Sequence, residues 1–167
     1  MFFYGENSYA MRQEVDRIKG HYIQKSEGDL NLEVIDMADH KAGYLLDALA
    51  VQPLLASSRF IIVKNLGANK PAAEKIEEVL GLVPASTVLL IEEPTVDKRS
   101  SYYKKLSAQK GAKEFKKLSD PQLRDWLVAE AKKLGGSMAP GLASQLIRMV
   151  GSDQWQLAQE IRKLVAY

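Results

Sequence analysis

A chain of 167 residues, 46% hydrophobic and 26% charged, is long enough for one α/β core with a small second domain. Its 23 basic and 21 acidic residues leave a formal charge of +2, which argues against both a wholesale nucleic-acid binder and an acidic tail. The chain has no cysteine, which excludes disulfides, thiolate catalysis and cysteine zinc sites. Its two histidines, His21 and His40, lack the short spacing of a helical metal pair, so no metal is expected. Residues 1–7 carry no basic leader followed by a long apolar segment, and no apolar run approaches the ~20 residues of a membrane span. The expectation is a cytoplasmic protein with no membrane segment.

The chain opens on the β-rich run Phe2–Tyr4, then a glycine turn, then Met11, Val15, Ile18 and Tyr22 at helical spacing. A strand, a glycine turn and a helix in that order form the place where an α/β nucleotide-binding domain holds phosphate. A Walker A loop needs a second glycine, a lysine for the β/γ-phosphates and a Ser/Thr for magnesium. Counted from Gly5, those positions hold Ala10, Met11 and Arg12. Glu6 adds a carboxylate where phosphate would sit. The loop is therefore expected to bind no nucleotide, with Ser8 capping the first helix.

A second strand fits Leu32–Asp36, and Leu45, Leu46 and Leu49 mark the next helix. The segment Val51–Arg59 then sets an adjacent leucine pair, Leu54 and Leu55, after Pro53 and before the apolar run Phe60–Val63. Two readings stand open for that pair. One extends the preceding helix and packs both leucines under the sheet, as apolar residues beside strands usually do. The other displays them, because Pro53 disfavours helical geometry at Gln52 and removes a donor. Adjacent residues also point about 100° apart on a helix and to opposite faces of a strand, so one core surface does not easily bury both.

Phe60–Val63 ends in Lys64 and Asn65, not in the acid that a P-loop ATPase uses to hold magnesium. Ile76, Val79, Leu80 and Val83 follow at helical spacing, then the strand Thr87–Ile91 with Glu92 and Glu93 after it. Lacking a phosphate loop to face, those two acids are expected to be a solvated strand end. Tyr102 and Leu106 mark another helix, and Ala112–Phe115 a fifth strand. Residues 98–117 carry eight basic side chains, including Lys98, Arg99, Lys104 and Lys105, against the single acid Glu114. Such a run either follows a DNA backbone or forms a solvated face, and no base-reading array accompanies it.

Beyond residue 117 the strand signals stop. Ser119 and Gln122 form a capping-box pattern with Pro121 between them, and Leu123, Trp126, Leu127, Ala131 and Leu134 follow before Gly135 and Gly136. Leu142, Leu146, Ile147 and Val150 mark a second helix closed by Gly151. Trp155, Ala158, Ile161 and Val165 mark a third, with Ser152 as its expected cap. Consecutive apolar residues in the strands suit a parallel sheet with crossover helices. The expected architecture is a five-stranded parallel α/β domain over residues 1–117, followed by a three-helix domain over 118–167.

Four stretches in one order carry a resemblance: Phe3-Tyr-Gly-Glu-Asn-Ser-Tyr9, Asn31-Leu-Glu-Val-Ile-Asp36, Gln52-Pro-Leu-Leu-Ala-Ser-Ser-Arg-Phe-Ile-Ile-Val-Lys-Asn65, and Gly151-Ser-Asp-Gln-Trp-Gln-Leu-Ala-Gln-Glu-Ile-Arg-Lys-Leu164 with Tyr167. With the phosphate loop lost, the chain resembles the catalytically inert members of the AAA+ clamp-loader group, most closely the delta subunits of bacterial DNA polymerase III. The resemblance implies an AAA+/RecA-like domain with a degenerate P-loop and a three-helix lid, without the collar domain that follows in that family.

It further implies a subunit without catalysis or cofactor, belonging to a DNA-directed DNA polymerase assembly. Such a subunit binds the ring-shaped sliding clamp (the beta subunit) and holds it open for loading onto primed DNA. Its other partners would be the gamma/tau and delta prime subunits, with DNA touched weakly or indirectly. The implied clamp contact falls on Leu54 and Leu55, with Gln52, Pro53 and Ala56 shaping the approach. An ATP-binding P-loop enzyme and a stand-alone DNA-binding module are the competing classes.

Overall fold

The apolar runs Phe2–Tyr4, Phe60–Val63 and Leu89–Ile91 have side chains on both faces that prefer burial, and they meet the requirement together in one five-stranded parallel sheet. The computed structural model describes residues 1–26 and 28–166, so Tyr167, counted in the resemblance, lies outside the described residues. In chain order, the first unit runs β1 (Phe2–Tyr4), α1 (Ser8–Lys25), β2 (Leu32–Asp36), α2 (Tyr44–Ala50) and β3 (Arg59–Lys64). It continues through a 3-10 turn (Leu66–Ala68), α3 (Lys70–Glu74), α4 (Ile76–Leu82), β4 (Thr87–Glu93), α5 (Ser101–Ser107) and β5 (Ala112–Glu114). The strand order is β2-β3-β4-β1-β5, with every neighbouring pair parallel.

One face of the sheet packs Phe3, Phe60, Ile62 and Leu90 against Met11 and Val15 of α1. The other packs Phe2, Tyr4, Ile35, Ile61, Val63, Leu89 and Ile91 against α2, α4 and α5 through Leu45, Leu49, Ile76, Val79, Tyr102 and Leu106. The interior strand β3 is buried from Arg59 to Val63. Two helix starts differ from expectation by one residue. Asn7, not Ser8, caps α1, its side chain accepting from Ala10 N at 2.9 Å. The helix expected from Ile76 starts there as α4, a separate α3 precedes it, and Val83 sits extended beyond its end.

Contacts divide the chain into Met1–Lys116 and Lys117–Tyr167. The second unit holds α6 (Asp120–Lys133), α7 (Pro140–Val150) and α8 (Gln154–Ala166) around Leu123, Leu127, Ala131, Ala143, Leu157 and Ile161. Gln122 Oε1 accepts from the backbone N–H and the hydroxyl of Ser119, at 3.0 Å each, which fixes the start of α6. Asp153 takes the capping role expected of Ser152, accepting from Gln156 N at 2.9 Å. Among the described residues, no helix is long and apolar enough to cross a membrane.

Gly5 is where the first unit tolerates no side chain. Its φ is +121°, and a Cβ there would lie 2.4 Å from the carbonyl oxygen of Phe115. Gly5→Ala is therefore expected to cost the first unit at least about 2 kcal/mol, from left-handed strain and overpacking together. A thermal melt within about 1 °C of the parent would contradict this.

Candidate functional site

In a parallel sheet the strand ends gather on two edges, and ligands of open α/β sheets usually sit at the carboxyl edge. Here the carboxyl edge holds the turn after β1, and the opposite edge holds the loop entering β3. The two are built differently.

The loop from Val51 to Ser58 leaves the helix at once: α2 ends at Ala50, and Val51 is already extended, with φ −76° and ψ 127°. Pro53 and Ala56 are half-buried and Gln52 is exposed. Leu54 is 59% exposed and Leu55 95%. Leu55 also has φ +55°, the left-handed region, which costs a non-glycine residue about 1–2 kcal/mol. Burial of the side chain therefore does not hold Leu55 where it is, and the hydrogen bonds around the loop do.

At the far end, Tyr22 donates its hydroxyl to Ser58 O at 2.8 Å. At the near end, the buried Arg59 guanidinium donates to Val51 O at 3.1 Å and to Ala48 O, and pairs with Glu33. In the middle, Asn31 bonds both backbone groups of Leu54. Tyr22, Asn31 and Arg59 escaped the sequence reading as site residues because each acts on a segment 8 to 36 residues away. Asn31 and Arg59 did lie inside the quoted motifs. A polar residue flanking a buried strand was the available signal, since such groups are buried only when bonded.

At the carboxyl edge the backbone donors that would cradle a phosphate are engaged within the protein. Gly5 N donates to Glu93 O at 3.1 Å, Asn7 N to Phe115 O at 3.0 Å, and Met11 N to Asn7 O at 3.0 Å. Ala10 N is held by the Asn7 side chain, whose amide donates to Lys116 O at 3.2 Å. Met11, at the position a phosphate-binding lysine would occupy, is 0% exposed, and Arg12 turns to Asp16 at 2.9 Å. Asn65 donates to both oxygens of Asp36 at 2.9 Å across the ends of β3 and β2. Among the described residues, no cluster of His, Cys, Asp or Glu could hold a metal.

The expectation that Glu92 and Glu93 form a solvated strand end is corrected. Glu92 is half-buried, and Glu93 is 3% exposed. Glu93 accepts from Gly67 N at 2.6 Å and from the Tyr102 hydroxyl at 2.8 Å, tying β4 to the 3-10 turn and to α5. The expectation fails because the 3-10 turn and α5 fold over the end of β4 and take the place that a phosphate loop would have had as the partner of Glu93.

The basic run is less free than its count implies. Lys98 and Lys116 both approach Glu114, at 2.6 and 3.8 Å, and Lys105 reaches Glu77 at 3.0 Å. Arg99 turns back to Asp97 at 3.1 Å, and Lys113 meets Glu14 at 3.1 Å. Hydrogen bonds from Arg17 and Lys113 hold the Glu14 carboxyl down to about 2. Of the four named DNA candidates, Lys98, Arg99 and Lys105 thus have acidic partners, two of those acids, Asp97 and Glu77, lying outside the run. Tyr102 is buried, and Tyr103 packs edge-on against Phe2 and Tyr4.

The family model described as DNA polymerase III, delta subunit, matches residues 1–116. The DNA polymerase III subunit delta of Bacillus subtilis (strain 168) is 26% identical over 175 residues, covering 98% of this chain and 50% of that protein. The chain thus spans about half the length of the curated relative it matches. Among solved structures, the Bacillus subtilis DNA clamp loader delta protein (YqeN) superposes with a TM-score of 0.68 at 22% identity, over 99% of this chain and 52% of that one. A DNA polymerase III gamma subunit-related protein from Thermotoga maritima gives 0.54 at 15% identity, over 98% of this chain and 52% of that one. Domain III of the replication initiation protein DnaA from the same organism gives 0.56 at 11%, over 100% and 75%. These likenesses fix the fold as AAA+/RecA-like.

A shared fold carries no ligand with it, so the chemistry of the carboxyl edge rests on its own groups. Burial pushes the Glu93 carboxyl above its usual range, opposed by the Gly67 N–H and the Tyr102 hydroxyl, which favour the charged form. A carboxyl raised by folding contributes stability that is full below its unfolded value and is lost as pH rises through the folded one. Glu93→Gln keeps an oxygen acceptor and removes the charge. Its melting temperature relative to the parent is expected to climb as pH rises from 4 to 8, and parallel melting curves across that range would refute the buried charge.

Proposed function

The chain belongs to the DNA polymerase III delta-subunit family, and from that premise we propose that it binds a bacterial sliding clamp, the beta subunit, through Leu54 and Leu55. Binding there holds the ring open at one interface for loading onto primed DNA. The observation that carries the reading is the exposed pair at the tip of a loop tied down at both ends. Gln52, Pro53 and Ala56 shape the approach, and the partner supplies a hydrophobic pocket. Burying both leucines there is worth about 3 to 6 kcal/mol, enough to dominate a small interface as its hot spot.

On this reading the subunit performs no catalysis and takes no cofactor. The inward-turned donors around Gly5, with Ala10, buried Met11 and Asp16-paired Arg12 in place of phosphate ligands, support that part. Hydrolysis would belong to gamma/tau partners, which with delta prime complete the loader in the cytoplasm. The second unit serves as the lid. DNA contact by Lys98, Arg99, Lys104 and Lys105 is weak or indirect, since three of the four are engaged by acids of the same chain.

Leu54→Ala combined with Leu55→Ala is expected to weaken clamp binding at least about a hundredfold while shifting the melting temperature by no more than about 2 °C, because both side chains are solvent-exposed. Parent-like clamp affinity in that folded double variant would refute the contact. A nucleotide titration reaching micromolar affinity would revive the ATP-binding reading, and salt-dependent retention on DNA without any clamp would favour a DNA-binding module.

A further inference from the structure

The tip of the loop from Val51 to Ser58 is held by one side chain. Asn31 donates from Nδ2 to Leu54 O at 2.8 Å and accepts at Oδ1 from Leu54 N at 2.6 Å. That is the pair of bonds one residue of an antiparallel strand offers another, delivered here by an amide across 23 positions. Asn31 is itself fixed: it is 9% exposed, and its carbonyl accepts from Phe60 N at 2.9 Å, at the start of β3. The bonds from Tyr22 to Ser58 and from Arg59 to Val51 secure the ends of the loop and do not reach its tip.

The requirement is chemically narrow. An aspartate would keep the acceptor and lose the donor, an alanine would lose both, and a glutamine would carry the amide one carbon too far. Directly after the pinned residue, Leu55 stands at φ +55° with its side chain in water. An exposed leucine released from such a brace returns to the extended or right-handed regions.

We infer that Asn31 is a positioning residue for the leucine pair: pinning the backbone of Leu54 fixes the turn at Leu55 and presents both apolar side chains before any partner arrives. This rests on the clamp-contact reading of the pair. A binding element already in its bound conformation loses less freedom on association. Where the loop, once freed, holds that conformation about a tenth of the time, apparent affinity falls about tenfold.

The test uses the full 167-residue chain as the parent, Asn31→Ala, Asn31→Asp and the Leu54→Ala, Leu55→Ala double variant. Amide hydrogen exchange is followed on each free chain, and affinity is measured for a bacterial sliding clamp. Asn31→Ala is expected to lose protection at Leu54 N while Phe60 and Ile62 keep theirs, and to bind the clamp about tenfold more weakly, with Asn31→Asp between it and the parent. Unchanged protection at Leu54 in Asn31→Ala overturns the brace. Parent-like clamp affinity in Asn31→Ala, alongside lost binding in the leucine double variant, overturns the positioning role and leaves the contact standing. Parent-like binding by the double variant removes the contact, and the role of Asn31 with it.

Discussion

Covering both faces of a five-stranded parallel sheet leaves little besides its edges open to partners. β3 is the strictest case, buried from Arg59 to Val63 between β2 and β4. A strand so enclosed cannot shift register without moving its whole apolar set, so the segments entering and leaving it inherit fixed positions. The loop before β3 and the residues after it therefore meet the solvent from a rigid base. The two edges diverge from there. The carboxyl edge spends its polar groups on itself, through Asp36 with Asn65, Glu93 with Gly67 and Tyr102, and Asn7 with Lys116. The opposite edge spends its polar groups on holding two leucines outward.

This division gives a physical sense to an AAA+ fold with a degenerate phosphate loop. Where nucleotide-using members keep free N–H groups and a cation at the end of β1, this chain has carbonyl partners and a buried methionine. The energy that a ligand would supply at that edge comes instead from internal hydrogen bonds. Among the exposed apolar side chains of the first unit, Leu55 is the one most fully in water, and it stands beside Leu54 on a loop whose backbone is tied down.

The strands were legible because consecutive β-branched and aromatic residues between turn signals have few other solutions: β1 and β2 coincide with their expected bounds, β3 and β4 gain only an end residue or two, and β5 stops one short. The helical faces were legible through Met11 and Val15, and through Leu45 and Leu49. Caps were readable only to within a residue, since Asn7 and Ser8, or Ser152 and Asp153, offer the same acceptor chemistry at adjacent positions. The larger miss was Glu93, whose burial depends on where the Leu66–Ala68 turn and α5 lie. Asn31, Arg59 and the acids facing the basic run were invisible as partners for the same reason, each being fixed by contacts formed only when the sheet assembles. The leucine pair could be singled out locally, while the side chain that holds it could not.

Hydrogen–deuterium exchange of the 167-residue chain with and without a bacterial sliding clamp tests the proposed role most directly. New protection at residues 51–58, with the carboxyl edge and residues 98–117 unchanged, is the predicted result. Protection appearing at residues 98–117 or around Gly5 while the loop stays as fast as in the free chain would contradict it.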